Sequence, residues 1–204
     1  ERKFFKDDFS VDSSSQYTGD VANFTWDTAN KKLVCANPAT MKGIITRSVP
    51  IYGTYEFPLK WHTNTTASAV DCQINFGYVD ASNYYSIYVY IERDYSRIEL
   101  SLRRVNTMIA YGGLIPYVEG AILKIVVTST GIRLYYNGRL ACTYSGTIAS
   151  TNGTIWFVAG AGHTTELYGI TYAPSISYSD DFSTDTTERY QAVTGTVAYD
   201  NTNK

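Results

Sequence analysis

The chain holds little that would build a helix, a membrane span or a metal centre. Among 204 residues there are 2 Met, 2 His, 3 Cys and 5 Pro. No apolar run approaches the ~18 residues that a membrane-crossing helix needs. Lys plus Arg number 17 against 19 Asp plus Glu, so no excess of one charge points to a polyanionic partner. Arg103-Arg104 is a lone basic pair on an apparent strand and reads as a solvated face rather than a nucleic-acid contact. His62 and His163 fall in different segments, each reading as a loop or strand-end polar residue rather than a catalytic base. No Gly-x-Ser-x-Gly occurs, which argues against serine-hydrolase chemistry. Cys35, Cys72 and Cys142 allow at most one internal disulfide, and none sits in a CxxC or near a His at ligand spacing. Cys72, alternating with Val70, Ile74 and Phe76, reads as a small buried hydrophobe. The sequence opens on Glu1 with no signal-peptide pattern, which reads as a mature or trimmed product.

What the chain does hold is tyrosine, 19 of them, with abundant Thr, Ser and Asn, a composition suited to strands. It also holds the opening of its own sequence twice. Asp7-Asp8-Phe9-Ser10 returns as Asp180-Asp181-Phe182-Ser183, 173 residues on (180 − 7). In that register Asp12, Tyr17, Asp27, Asn30 and Lys31 meet Asp185, Tyr190, Asp200, Asn203 and Lys204, and Trp26 faces Tyr199. A fixed offset of this kind marks a tandem module. Residues 1–173 are therefore expected to be one complete domain, and 174–204 the opening strands of a second, truncated copy.

Alternation of period two runs through nearly every segment. Tyr55, Phe57, Leu59 and Trp61 share one face of 53–62. Val70, Cys72, Ile74, Phe76 and Tyr78 point inward on 70–78, with Asp71, Gln73 and Asn75 outward. After the turn Asp80–Asn83, residues Tyr85, Ile87, Val89 and Ile91 alternate with Tyr84, Ser86, Tyr88 and Tyr90. Closing that hairpin pairs Phe76 with Ile87 and Ile74 with Val89. Ile98, Leu100 and Leu102 continue the inner face after a turn at 93–96. Ile132–Tyr136 runs into Asn137-Gly138, the strongest short hairpin signal, because both central residues must take positive φ. Segments 154–159 and 167–172 supply the last strands. About a dozen short strands with tight turns predict an all-β antiparallel sandwich.

The order of these elements resembles the concanavalin A-like lectin/glucanase jelly roll, in its laminin-G-like branch. The resemblance rests on the opening Asp-Asp-Phe-Ser, Phe24-Thr25-Trp26-Asp27, Lys32-Leu33-Val34 and Gly53-Thr54-Tyr55-Glu56-Phe57. It continues through the hairpin from Phe76-Gly77-Tyr78-Val79-Asp80 to Asn83-Tyr84-Tyr85, and through Leu134–Leu140. It covers almost all of 1–173. It implies two curved antiparallel sheets, with the first and last strands of the module close together.

The same resemblance bears on chemistry. Glycosidases of this superfamily carry Glu-x-Asp-x-x-Glu on the concave face, which sets an acid and a nucleophile on one side of a strand. The nearest approach here, Glu92-Arg93-Asp94 followed by Glu99, departs from that pattern and crosses a predicted turn. Laminin-G-like sandwiches often carry calcium, for which Asp8 and Asp12 offer hard oxygen ligands. The alternative is that Asp8 serves a turn. The outer face of the middle sheet groups Gln73, Asn75, Tyr88, Tyr90, Glu99 and Arg103. In the hairpin register above, Asn75 lies opposite Tyr88 and Ser101, and Gln73 opposite Tyr90 and Glu99. Amides, tyrosines and an Arg–Glu set suit sugars, whose rings stack and whose hydroxyls need planar partners. A solvated face rich in strand-favouring Tyr is the competing reading. Glycosylation tripeptides at Asn23, Asn64 and Asn152 point to an extracellular or cell-surface setting.

The function expected from these residues is a non-enzymatic repeat module of a surface, adhesive or filament-forming protein. Its expected partners are glycans or neighbouring copies, with 174–204 adding strands to a neighbouring subunit. No cofactor beyond calcium is implied. The alternative is a sugar-cleaving enzyme of the concanavalin A-like superfamily.

Overall fold

Period-two alternation carries through the computed structural model of the chain, which describes residues 4–63, 72–91 and 97–175. The strands are β1 (Phe5–Asp7), β2 (Thr18–Gly19), β3 (Thr25–Asp27), β4 (Lys32–Cys35), β5 (Lys42–Ile45) and β6 (Val49–Pro50). Next come β7 (Gly53–Thr63), β8 (Cys72–Asp80), β9 (Asn83–Ile91), β10 (Arg97–Arg104), β11 (Thr107–Pro116) and β12 (Ile122–Thr128). The last are β13 (Gly131–Tyr136), β14 (Arg139–Ser145), β15 (Asn152–Ala159), β16 (His163–Leu167) and β17 (Ile170–Pro174). Among the described residues there is no α-helix, only two 3-10 turns at Ser14–Gln16 and Val21–Asn23.

These strands form two antiparallel sheets. The front sheet runs β11-β10-β9-β8-β15-β5-β2, and the back sheet β14-β13-β12-β7-β16-β4-β3, with β17 between β7 and β1. β1 lies against β17, Phe5 facing Tyr172 and Asp7 facing Ile170, so the first and last described strands meet at one seam. The fold is the two-sheet, concanavalin A-like jelly-roll sandwich.

Inward residues of both sheets interleave as one core. Ile74, Phe76, Ile87, Val89, Leu100 and Leu102 come from the front sheet, and Tyr55, Phe57, Leu123, Ile125 and Leu134 from the back. Tyr55 stands between Phe76 at 5.5 Å and Tyr172 at 4.9 Å, ring centre to ring centre. Its hydroxyl donates to the Ile51 carbonyl at 2.8 Å, which satisfies the one polar atom it brings inside. Asn137 and Gly138 take φ of 47° and 77°, as the β13–β14 turn requires. Cys35, Cys72 and Cys142 are all buried, and burial pushes the Cys35 and Cys142 thiols up to about 11.

Three details depart from the sequence expectation. β8 pairs two residues nearer the start of β9, with Ile74 facing Ile87 and Phe76 facing Tyr85. A slip of two keeps every apolar residue on the same face, so hydrophobic pattern alone could not choose between the registers. The choice is made at Gly77, whose φ of +58° opens a bulge and lets residues 77–79 face fewer partners on β9. A Cβ at Gly77 would stand 2.5 Å from the Ile51 side chain, and one at Gly153 2.3 Å from the Gly77 backbone, so the bulge is packed from both sides. Its second consequence is that Tyr78, expected inward, leaves the core and joins the outer face. The stretch expected as one strand over 167–172 divides into β16 and β17. Finally, β11 carries weak alternation because a bulge near Gly112-Gly113 breaks its period, and it escaped the sequence pattern.

Candidate functional site

The six residues singled out as a binding face do share the outer face of the front sheet. The corrected register arranges them in rows. Trp156, Asn75, Ser86 and Arg103 form one row across β15, β8, β9 and β10. Val158, Gln73, Tyr88 and Ser101 form the next, and Tyr90 faces Glu99 beyond it. Asn75 therefore lies opposite Ser86 rather than Tyr88, and Gln73 opposite Tyr88 rather than Tyr90.

This face is not simply solvated. Asn75, Ser86 and Ser101 are almost wholly buried, at 1%, 0% and 1% exposure, although they point away from the core. The outer side chains cover them. Trp156 packs over Gly43, where a Cβ would meet its indole nitrogen at 2.1 Å. Tyr78 meets Trp156 edge-on at 5.3 Å and Tyr84 at 5.4 Å, a run of three rings that sequence reasoning missed. The signal for it was Gly77, since only a bulge there brings Tyr78 outward. Tyr84 also lines a cavity of about 280 Å³ with Ile51, Gly77, Tyr85, Arg104 and Thr151. Burial, and then the nearby Tyr88 and Tyr78 hydroxyls, raise the Tyr84 phenol above the ordinary value.

On the other flank the Arg103 guanidinium lies 4.4 Å from the centre of the Tyr88 ring. Its Nε donates to Ser101 Oγ at 3.3 Å, and one terminal nitrogen donates to the Asn106 carbonyl at 3.2 Å. Gln73 Nε2 donates to Asn75 Oδ1 at 2.7 Å, while Asn75 Nδ2 has no partner. Glu99 is half-buried at the margin of this face.

The opening segment builds a second polar cluster, at the β1–β17 seam. Asp7 Oδ1 accepts the Phe9 amide at 2.9 Å; Oδ2 accepts the Tyr17 hydroxyl at 2.7 Å and also the Ser13 hydroxyl. Trp26 Nε1 in turn donates to Ser13 Oγ at 2.9 Å. This cluster holds Phe9, wholly buried, at a φ of +53°. Burial foremost, and then Asp7, push the Tyr17 phenol far above its ordinary value.

Asp8 and Asp12, the candidate calcium ligands, serve turns. Each accepts the amide two residues on, Ser10 at 3.1 Å and Ser14 at 2.9 Å. Hydrogen bonds from those serines hold both carboxyls below the usual range. Among the described residues no group of three or more His, Cys, Asp or Glu is placed to hold a metal. Asn23 and Asn152 are exposed, while Asn64 lies outside the described residues, as do Glu92, Asp94 and the second opening over 176–204. Among the described residues no helix is long and apolar enough to cross a membrane.

No family model and no curated relative matches the sequence. Solved structures do match. A Bacillus licheniformis β-glucanase shares 12% identity with a TM-score of 0.62, over 84% of this chain and 98% of that one. The Crh5 transglycosylase in complex with NAG shares 11% with a TM-score of 0.63, over 85% and 84%. The carbohydrate-binding module CBM66 from Bacillus subtilis shares 13% with a TM-score of 0.54, over 78% and 95%. At these identities the likeness establishes the concanavalin A-like jelly-roll fold. It also corrects the expectation of a non-enzymatic adhesive or filament-forming module. The finding that overturns it is that the matching folds include a glucanase and a transglycosylase.

Proposed function

We propose that the chain is a glycan-active enzyme that engages a sugar chain across the outer face of the front sheet. The observation that carries this reading is the ring run Trp156–Tyr78–Tyr84 beside the buried amide and hydroxyl floor of Asn75, Ser86 and Ser101, on a fold shared with glucanases. Aromatic rings take sugar faces, and fixed amides and hydroxyls take the ring substituents.

Cleavage of a glycosidic bond needs two carboxyl groups, about 5–10 Å apart. Glu99, at the margin of this face, is the carboxylate that it supplies among the described residues. Asp20, which accepts the Gly43 amide at 3.0 Å, sits beside β5, four strands from β10. At about 4.8 Å per strand that is roughly 19 Å, too far for it to be the partner. An extracellular or cell-surface setting belongs to the same reading, supported by the exposed glycosylation tripeptides at Asn23 and Asn152.

The test is incubation with a panel of soluble polysaccharides, followed by reducing-end assay and mass analysis of products. Released or transferred oligosaccharides, lost in Glu99→Gln while glycan retention persists, support the reading. Glycans retained but never cleaved would overturn the catalytic half. Neither retention nor cleavage would overturn the whole.

The organisation of 174–204 as a second opening is likewise proposed, and the Asp7 cluster supports it. Asp7, Phe9, Ser13, Tyr17 and Trp26 correspond, at the 173-residue offset, to Asp180, Phe182, Thr186, Tyr190 and Tyr199. Carboxylate, aromatic, hydroxyl, phenol and aromatic donor all recur. Replacing 7–31 by 180–204 should therefore leave the fold intact by circular dichroism and thermal melting, and an unfolded chimera would reject it.

A further inference from the structure

Three lysines on the back sheet's outer face are neutralised in place. Lys124 lies 3.1 Å from Glu56, Lys60 2.5 Å from Glu119, and Lys32 2.5 Å from Glu166. Arg103 is treated differently. It stands in the row of the proposed site, stacked on Tyr88, and among the described residues no carboxylate pairs with it. A guanidinium carries five N–H donors in a rigid fork. Nε and one terminal N–H are occupied by Ser101 and Asn106, which leaves three donors unused on a group that cannot lose its charge. Two positions along the same row, Asn75 holds a buried amide nitrogen with no acceptor. The row is thus rich in unspent donors and short of acceptors.

We propose that this row reads an acidic sugar, with Arg103 binding the carboxylate of a uronic acid or the sulfate of a sulfated sugar. The inference rests on the glycan-binding reading above and adds the class of glycan. A neutral sugar offers hydroxyls that give as well as take hydrogen bonds, and tyrosines and amides are enough for it. An immobilised fork with three unused donors matches a group of two or more acceptor oxygens carrying charge. Stacking on Tyr88 and the bonds to Ser101 and Asn106 hold the fork in place before the ligand arrives, so little freedom is lost on binding. Tyr78, Tyr84 and Trp156 would carry the neighbouring rings of the same chain.

The experiment is retention of the whole chain on an array of uronate-containing, sulfated and neutral oligosaccharides, followed by titration calorimetry with the best of each class. Acidic glycans should be retained above neutral ones, and the uronate and sulfate arms tell which oxyanion is read. Arg103→Gln should weaken acidic-glycan binding about ten- to hundredfold, as expected for losing a charge-assisted hydrogen-bonded pair, and weaken neutral-glycan binding far less. Arg103→Lys, which keeps the charge without the fork, should fall between. Thermal melting of each variant checks folding. Neutral glycans retained as well as acidic ones, or acidic binding unmoved by Arg103→Gln, would overturn the acidic-sugar inference while leaving the glycan reading standing. No retention of any glycan would overturn both.

Discussion

Two of the buried polar clusters among the described residues contrast, one closed and one open. Around Asp7 both carboxylate oxygens accept hydrogen bonds, from an amide, a phenol and a hydroxyl, and the Ser13 oxygen accepts the Trp26 indole. Around Asn75 the floor is equally buried, yet an amide nitrogen goes unbonded and Arg103 keeps unused donors above it. Closed, a buried network fastens elements together; left open, it costs stability and offers binding. The Asp7 cluster locks the seam where the first and last described strands meet. The Asn75 row spends nothing on the seam and faces outward from the sandwich. Equal burial, opposite bookkeeping of donors, and hence different work.

The comparison breaks most sharply at Asp7. Asp7→Ala strands the Tyr17 phenol, the Ser13 hydroxyl and the Phe9 amide in the interior, and should cost about 3–5 kcal/mol of stability in urea unfolding. A loss under about 1 kcal/mol would show that the closed cluster does not fasten the seam. Alkali probes the same cluster without mutation. Tyr17 is held protonated in the fold well above the ordinary 10.0, and Tyr172 and Tyr136 are raised to about 12, all chiefly by burial. A raised folded value means that the stability is whole below pH 10 and is lost as pH climbs past it, because the unfolded chain sheds these protons first. Unfolding free energy should fall from pH 10 upward, with phenolate absorbance rising only as the fold opens. Early phenolate signal from an intact fold at all three sites would contradict it.

On the open row the effects should be smaller and fall on binding. Tyr88→Ala with Tyr90→Ala should weaken glycan retention by about 1 kcal/mol for each ring, with melting temperature little changed. Unchanged retention would move the site elsewhere on the molecule. Asn75→Leu is the smallest in stability and the most telling in sign. Removing a buried amide with an unbonded nitrogen should leave stability level or raise it by up to about 1 kcal/mol, while glycan binding falls. A marked loss of stability would mean that Asn75 is as closed as Asp7.

Much of this was legible from residue order alone. Strict alternation in 53–62, 72–76 and 84–91 dictated the sandwich, and Asn137-Gly138 its hairpin. The six face residues were placed on the right side because one side of a strand is a matter of parity. Their neighbours were not. Register across β8 and β9 depended on how many residues the Gly77 bulge absorbs, and a two-residue slip preserves parity, so the pattern was silent. The same bulge hid Tyr78 from the outer face, and with it the ring run to Trp156. The Asp7 cluster was visible only as a repeated spelling, since nothing in Asp-Asp-Phe-Ser says which carboxylate goes inside. Function was the least legible part, because the ring run forms only where β15, distant in the chain, packs beside the consecutive strands β8, β9 and β10.

The seam itself has a mechanical meaning. Phe5 lies opposite Tyr172 and Asp7 opposite Ile170, so the chain enters and leaves at the same end of the β1–β17 pair. A pull applied to both ends would load the hydrogen bonds of this pair in succession, as a zipper, rather than all together, as a shear. Resistance would therefore be low at the backbone and concentrated at one point, where the Asp7 carboxylate ties β1 to Ser13, Tyr17 and, through Ser13, Trp26. Under tension the molecule should give way there first, with the two sheets still packed behind it.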